Sequence, residues 1–210
     1  MIHVLGRLPL EDFYVCVSGG IDSMTLLTFL VLGKRKNFTA LYFNHGTTHG
    51  NDAQIFVTEE CRRLGVDLVC GEIDKSCFDR KKSMEENWRY ARYEFIGKFS
   101  SKPILMAHHL DDAVESYIMS VLRGHADTIP YKNDKYNVIR PFLVTTRRDI
   151  SSWGERHGVN HIEDPSNKDV SYDRNFVRHE LLEKVRRINP GIQKTVKKII
   201  LDRYNRSFKT

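Results

Sequence analysis

The sequence predicts an α/β protein built on a doubly wound parallel sheet with helices on both faces, followed by a helical C-terminal segment. Three observations lead there. Short apolar, β-prone runs alternate with helix-period segments as far as Leu122. The first of these runs ends in a small-residue turn that opens directly into a helix. The chain has 210 residues, 40% hydrophobic and 29% charged, which suits one sizeable globular domain with a small appendage. We divide it at 145: a core over 1–145 and a helical, basic segment over 146–210 that packs on it.

The first strand is Phe13 to Val17. It stops at Ser18-Gly19-Gly20-Ile21-Asp22-Ser23, after which Met24, Leu26, Leu27, Leu30 and Val31 recur on one side of a helix. Gly19 and Gly20 can take positive φ and let a ligand approach the backbone. The N–H groups of the loop and of the helix N-terminus form a nest for an anion, with phosphate or pyrophosphate the natural guest. The Walker spacing is absent and no lysine sits at the turn. Asp22 would repel a phosphate unless a divalent cation bridges the two, and Mg²⁺ binds in that way through one or two carboxylates plus substrate phosphates. The plainer reading is a turn followed by a helix-initiating carboxylate.

Phe38 to Phe43 reads as the second strand, ending at Asn44-His45-Gly46, and Asn51 to Leu64 as a helix. Asp67 to Ile73 is the third strand, Lys75 to Lys82 is polar and irregular, and Met84 to Phe99 is helical. Pro103 to Ala107 is a short apolar run, read as a buried parallel strand, and Asp111 to Leu122 is a helix. Ligands of such sheets sit at the C-terminal ends of the strands. Ser18, His45 and His108 all fall there. His125 to Tyr136 is a polar loop, Asn137 to Phe142 a short strand, and Arg147 to His157 a helix. His161 to Asp173 is a loop, Arg174 to Arg187 a helix, and Ile192 to Tyr204 a last amphipathic helix.

The net charge of +6 is unevenly distributed. Arg178 to Thr210 holds ten Lys/Arg against three Asp/Glu, and the remainder 23 against 24. That layout suits a polyanion contact, with nucleic acid the first guess; a solvated helix face is the alternative. The four cysteines, Cys16, Cys61, Cys70 and Cys77, form no C-x-x-C pair and read as reduced thiols. No apolar run reaches membrane-spanning length and the first ten residues lack a signal-peptide pattern, so no membrane partner and a cytoplasmic location are expected.

Three further constellations carry chemistry. In Ala107-His108-His109-Leu110-Asp111-Asp112-Ala113-Val114-Glu115, a histidine ends a strand, and Asp112 and Glu115 share a helix face. Such carboxylates can hold an amine or a metal; N-capping by Asp111 is the plainer account. Arg89 and Arg92 are three apart on a helix, suited to the phosphates of ATP or of an RNA backbone, or to pairing with Glu85 or Glu86. Asp164-Pro165-Ser166-Asn167 makes a rigid turn ahead of Arg174 and Arg178, four apart on one helix. The plainer reading is a capped helix with an exposed basic stripe.

Ser18–Ser23 resembles the loop of the N-type ATP pyrophosphatases, the PP-loop enzymes. Together with Asn44-His45-Gly46, Arg89-Tyr90-Ala91-Arg92-Tyr93, His108 to Gly124, Arg140-Pro141-Phe142 and Glu163 to His179, it resembles the tRNA(Ile)-lysidine synthetases over nearly the whole chain. The resemblance implies a Rossmann-like PP-loop core. It also implies a reaction: ATP adenylates C2 of the wobble cytidine of an isoleucine tRNA with a CAU anticodon, and free L-lysine then displaces AMP to give lysidine. Asp22, His108, Asp112 and Glu115 would be catalytic. Ser18, Gly19, Gly20, Ile21, Asp22, Ser23, Asn44, His45, Ala107 and His108 would bind ATP, with Asp22 toward Mg²⁺. Asp112 and Glu115 would bind the lysine ammonium. Arg89, Arg92, Arg123, Arg140, Arg174, Arg178, Lys194, Lys197 and Lys198 would face phosphates or RNA.

Thr47-Thr48-His49 replaces a basic residue usual in the family, and the segment after Gly124 is short. The chain reads as a reduced form lacking the usual C-terminal domains, acting as a monomer or homodimer. The competing functions are another PP-loop tRNA-modifying enzyme, such as a thiolase, and a non-catalytic RNA- or nucleotide-binding relative. The isolated cysteines speak against the first, and the presence of Asp22, Asp112 and Glu115 against the second.

Overall fold

The computed structural model describes every residue except Lys36, Lys75, Cys77, 80–82, Lys209 and Thr210, and every remaining side chain but that of Glu85. The expectations for Cys77, for much of 75–82 and for the last two residues lie outside the described residues. The elements run β1 (Phe13–Val17), α1 (Ile21–Leu32), β2 (Phe38–Asn44), α2 (Thr48–Leu64), β3 (Asp67–Glu72), α3 (Met84–Gly97) and β4 (Ile104–Leu105). They continue with α4 (Leu110–Leu122), β5 (Lys132–Asn133), β6 (Val138–Ile139), α5 (Arg147–Arg156), α6 (Asp173–Phe176), α7 (Leu182–Ile188) and α8 (Ile192–Phe208).

The strands form one sheet in the order β3-β2-β1-β4-β6-β5. Every pairing is parallel except β5 with β6. β1 shows why both faces must be covered. Phe13, Val15 and Val17 pack with Leu26, Leu27 and Leu30 of α1 and with Ala53 and Val57 of α2. Tyr14 and Cys16 point the other way, against Phe95 and Ile96 of α3. A third cluster joins Val114 and Ile118 of α4 to Val196 and Ile200 of α8. The doubly wound architecture is therefore as the sequence predicts. Among the described residues no helix is long and apolar enough to cross a membrane.

Several boundaries differ for physical reasons. α2 begins at Thr48, ahead of the expected Asn51, because the Thr47 side chain caps it by accepting the Gly50 N–H at 2.9 Å. The strand expected over Pro103–Ala107 shortens to two residues, although Met106 still donates to the Ile139 carbonyl. The loop expected over His125–Tyr136 contains β5 and a 3-10 turn at Asp134–Tyr136. The helix expected over Arg174–Arg187 is interrupted by a π-helical turn at Val177–Leu181, between α6 and α7.

The sequence order of the strands reverses between β1 and β4. A crevice opens outside the carboxyl ends of adjacent strands at such a point. The loop after β1 and the turn after β4 flank it.

Candidate active site at the β1/β4 switch point

The loop after β1 is held open by its own serines. The Ser18 N–H donates to Ser23 Oγ at 3.0 Å, and Ser23 Oγ–H donates to the Gly20 carbonyl at 3.0 Å. Gly20 is the N-cap of α1 and offers no side-chain acceptor, so the first amides of α1 are left for a ligand. Gly19 has φ +84°, a conformation that favours glycine. A Cβ there would also lie 3.1 Å from Ile162, whose own N–H donates to the Gly19 carbonyl at 2.9 Å. The 159–164 segment thus straps the loop from outside. Gly154 of α5 sits so close to α1 that a Cβ would lie 2.9 Å from Ile21 and Thr25, which sets the position of the first turn of α1.

The start of α4 faces this loop. Its cap is His109, not Asp111: His109 Nδ1 accepts the Asp112 N–H at 3.2 Å, and Asp112 Oδ2 accepts the His109 N–H at 2.9 Å. Asp111 instead accepts the Arg147 N–H and the Gln193 side chain, tying α4 to α5 and α8. Because Nδ1 serves as an acceptor, the proton of His109 rides on Nε2, which lies 3.6 Å from Asp22 Oδ2. Burial opposes a charge on this ring, but Asp112, Asp22 and Asp111 outweigh it and raise its pKa. Asp22 Oδ1 is buried without a hydrogen-bond partner. An orphaned carboxylate oxygen beside a phosphate nest fits a hard divalent cation. Among the described residues no group of three or more His, Cys, Asp and Glu could hold a metal, so the other ligands would be phosphate oxygens and water.

Asp112 and Glu115 share a helix face as expected, and they meet Arg174 and Arg178. Arg174 donates through Nε to Glu115 Oε2 at 2.9 Å and through Nη2 to Asp112 Oδ1 at 2.7 Å. Arg178 donates through Nε to Glu115 Oε1 at 2.6 Å and through Nη2 to Oε2 at 3.0 Å. Burial raises the pKa of Asp112, but His109, Arg174 and His108 outweigh it and bring it down to about 2.

His108 and His45 are both neutral. Burial dominates for each, with nearby arginines adding to it, and lowers them to about 3 and about 4. Arg140 Nε donates to His108 Nδ1 at 3.3 Å, which leaves Nε2–H for a ligand. Arg92 Nε and His45 Nδ1 are buried without partners.

One cavity of about 820 Å³ gathers these groups. It is lined by Ser18, Gly20, Asp22, Ser23, His45, Arg92, Ala107, His108, Asp112 and Arg174. Asn44 does not line it: its amide bonds Asn51 and Gln54 and accepts the Gly46 N–H, which fixes the turn presenting His45. Arg178, Arg140 and Glu115 stand behind the lining. Arg123 pairs with Asp173 at 3.4 Å, and Arg89 lies over Tyr93 on a separate cleft. Lys194 and Lys198 are exposed on α8, with Lys197 half-buried. Sequence reasoning passed over His109, Trp88 and Tyr172. The doubled histidine was the available signal for the first; nothing in the pattern marked the others.

The family model of the PP-loop domain matches residues 2–185. The chain is similar to the tRNA(Ile)-lysidine synthase of Thermotoga sp. strain RQ2, 33% identical over 205 residues, 90% of this chain and 49% of that protein. The synthase of Actinobacillus pleuropneumoniae serotype 3 is 31% identical over 182 residues, 82% of this chain and 42% of that one. The chain spans about half the length of the curated relatives it matches. Its fold is similar to that of the U34-tRNA thiolase NcsA from Methanococcus maripaludis, with TM-score 0.75, 15% identity, and coverage of 95% of this chain and 74% of that one. It is also similar to the NH3-dependent NAD synthetase from Campylobacter jejuni, with TM-score 0.56, 14% identity, and coverage of 92% and 85%. At such identities the likeness concerns the fold.

Proposed function

Because the chain belongs to the PP-loop domain family, we propose that it uses ATP to modify tRNA, converting the wobble cytidine of an isoleucine tRNA with a CAU anticodon into lysidine. The observation that carries this reading is the cavity in which a phosphate nest with Asp22 faces Asp112 across the switch point, with Glu115 directly behind it. The similarity to lysidine synthases supports the choice of substrates.

In the first step the cytidine O2 attacks the α-phosphorus of ATP and pyrophosphate leaves. The amides at the start of α1 hold the pyrophosphate end, with Ser18 and Ser23 shaping the loop. Arg92 and Arg174 supply positive charge for the developing pentacoordinate phosphorus. Mg²⁺, when bound at Asp22, neutralises phosphate charge. His108 Nε2–H donates to the nucleotide, and His45 stands edge-on to Phe43 and tilted against Trp88 in the cavity wall.

In the second step the ε-amine of lysine attacks C2 and AMP departs. Asp112 and Glu115 orient the ammonium before it loses its proton. Both carboxylates already hold guanidinium groups, so the amine competes for their oxygens. Arg174 is the more exposed partner, 35% against 19% for Arg178, and is the group that turns toward phosphate to admit it.

Half-buried Cys16, in the cavity wall, and buried Cys61 have thiols pushed up to about 12 and about 11 by desolvation, poor starting points for sulfur transfer. The test is mass spectrometry of tRNA after incubation with ATP, Mg²⁺ and lysine. A gain of lysine minus water on the anticodon loop is expected; sulfur incorporation or no change would reject the assignment.

A further inference from the structure

A second cleft, of about 320 Å³, is lined by Glu86, Arg89, Tyr90, Tyr93, Asn133 and Tyr136. Its floor is Tyr93, only 8% exposed, tilted against Tyr136 with ring centroids 4.8 Å apart. Tyr90 stands at its rim with 54% of its surface exposed. Two cations stand over these rings: Arg89 lies 5.2 Å from the Tyr93 centroid and Lys135 lies 5.0 Å from that of Tyr136. Asn133 Oδ1 is taken up by the Tyr136 N–H, which leaves its amide nitrogen as a donor. The acid in the lining, Glu86, accepts the Ser83 N–H in the capping box of α3.

Rings flanked by cations and one amide donor suit a ligand that is both aromatic and anionic. A cationic ligand would meet Arg89 and Lys135; a bare phosphate would leave the rings unused. Nucleotides combine the two properties, stacking a base on the aromatic face and placing a phosphate on the arginine.

Tyr93 also ties this cleft to the main cavity. Arg89 and Arg92 bracket its ring at 5.2 and 5.8 Å, and Arg92 lines the main cavity. Arg140, beside Tyr93, donates to His108 Nδ1 at 3.3 Å. The two clefts are therefore neighbours, linked by the contact between Arg92 and Tyr93, as successive nucleotides of one strand require.

We propose that the Tyr90–Tyr93–Tyr136 cleft binds the nucleotide next to the reactive cytidine, holding the unpaired strand by base stacking on tyrosine and by phosphate contact with Arg89. This rests on the tRNA-modifying reading and adds a second subsite to it. Residues of the main cavity perform the chemistry; this cleft presents the strand.

The experiment uses the full chain and an anticodon stem–loop carrying 2-aminopurine in turn on either side of the cytidine. Tyr90 is exposed, so Tyr90→Ala removes a rim without opening the core. Wild type should quench the probe on one side. Tyr90→Ala should lose that quenching and bind the stem–loop about tenfold more weakly, the scale of one base–aromatic stack. Tyr90→Trp should restore both, and ATP affinity should stay unchanged in each variant. Equal affinity and quenching in wild type and Tyr90→Ala would overturn the subsite. So would Tyr90-dependent binding of free CMP or AMP without any Tyr90-dependent change in the stem–loop, because the cleft would then serve a free nucleotide. Lysidine formation is scored separately by mass. Tyr90-dependent quenching without the mass gain would retain the subsite and reject the modification; a mass gain with a Tyr90-independent stem–loop would do the reverse.

Discussion

Arg178 grips Glu115 with two prongs, Nε to Oε1 at 2.6 Å and Nη2 to Oε2 at 3.0 Å, on a carboxylate whose side chain is 2% exposed. With Arg174 on the same group, Glu115 is an acceptor with no idle oxygen. Replacing it leaves guanidinium charge in a protected place, a change that costs on the order of 3 kcal/mol when one partner of a buried pair is removed. Glu115→Gln should therefore lower the melting temperature by several degrees. It should also raise the lysine concentration needed for half-maximal product more than it slows ATP–pyrophosphate exchange. Equal loss of both steps would move Glu115 from the amine to the metal.

Asp22 is the carboxylate with an unsatisfied buried oxygen at the nest. Asp22→Ala should abolish release of AMP and pyrophosphate while leaving the circular dichroism spectrum unchanged. Mn²⁺ titration followed by electron paramagnetic resonance in the presence of a non-hydrolysable ATP analogue should show binding in wild type and its loss in the variant. Undiminished pyrophosphate release would remove the loop from the mechanism.

Acid should destabilise this site through Asp112 and the two neutral histidines His108 and His45, all acting in the same direction. Asp112, depressed to about 2, contributes stability above its unfolded value near 4, and this is lost as pH falls through about 2. His108, held to about 3 mainly by burial, stays neutral while the unfolded chain takes up a proton near pH 6.5. Stability should decline steadily from about pH 6.5 downward, and His108→Gln should flatten the slope between pH 6 and 4 in denaturant titrations. A slope identical to wild type would mean that the ring is solvated and charged.

Lys194 and Lys198 project from α8, whose Ile192, Val196 and Ile200 are buried against the body. Part of the C-terminal basic surplus is already engaged: Arg186 approaches Asp111 at 3.7 Å and Arg203 pairs with Asp127. The lysines can track phosphates without reading bases. Replacing Lys194, Lys197 and Lys198 together by alanine should weaken tRNA binding and lower the salt slope by roughly one for each phosphate no longer neutralised. ATP affinity should hold. Matching salt slopes in wild type and variant would make the helix a structural cap and direct attention to the Arg89 face.

Local pattern made much of this molecule readable. An apolar run stopping at Ser18-Gly19-Gly20 forecast β1, the nest and α1, because strand, turn and helix there depend on neighbouring residues. Capping was misjudged at α4: aspartate is the usual cap, whereas the extended backbone of His109 brings Nδ1 over the Asp112 amide. β5 consists of Lys132 and Asn133, with no alternation to announce it. For Arg174 and Arg178 the pattern offers phosphate or RNA contact, with an exposed stripe as the alternative, because helical spacing reports a shared face and not what covers it. Their partners at Asp112 and Glu115 are about sixty residues away, and only the packing of α6 and the π turn on α4 brings them together.

The wide turn at Val177–Leu181 holds the phase between two parts of the chain. Ahead of it stands Arg174, set against the carboxylates; beyond it run α7 and α8 with their lysines. An ordinary helix advances about 100° per residue. Because a π turn takes up one residue more than an α turn over nearly the same rotation, deleting one residue from Val177–Leu181 would let the turn relax to ordinary pitch and leave everything downstream close to its present phase. The extra residue of this stretch is therefore absorbed locally, and a one-residue deletion there would straighten the turn while keeping the cavity and the basic face of the last helix aligned.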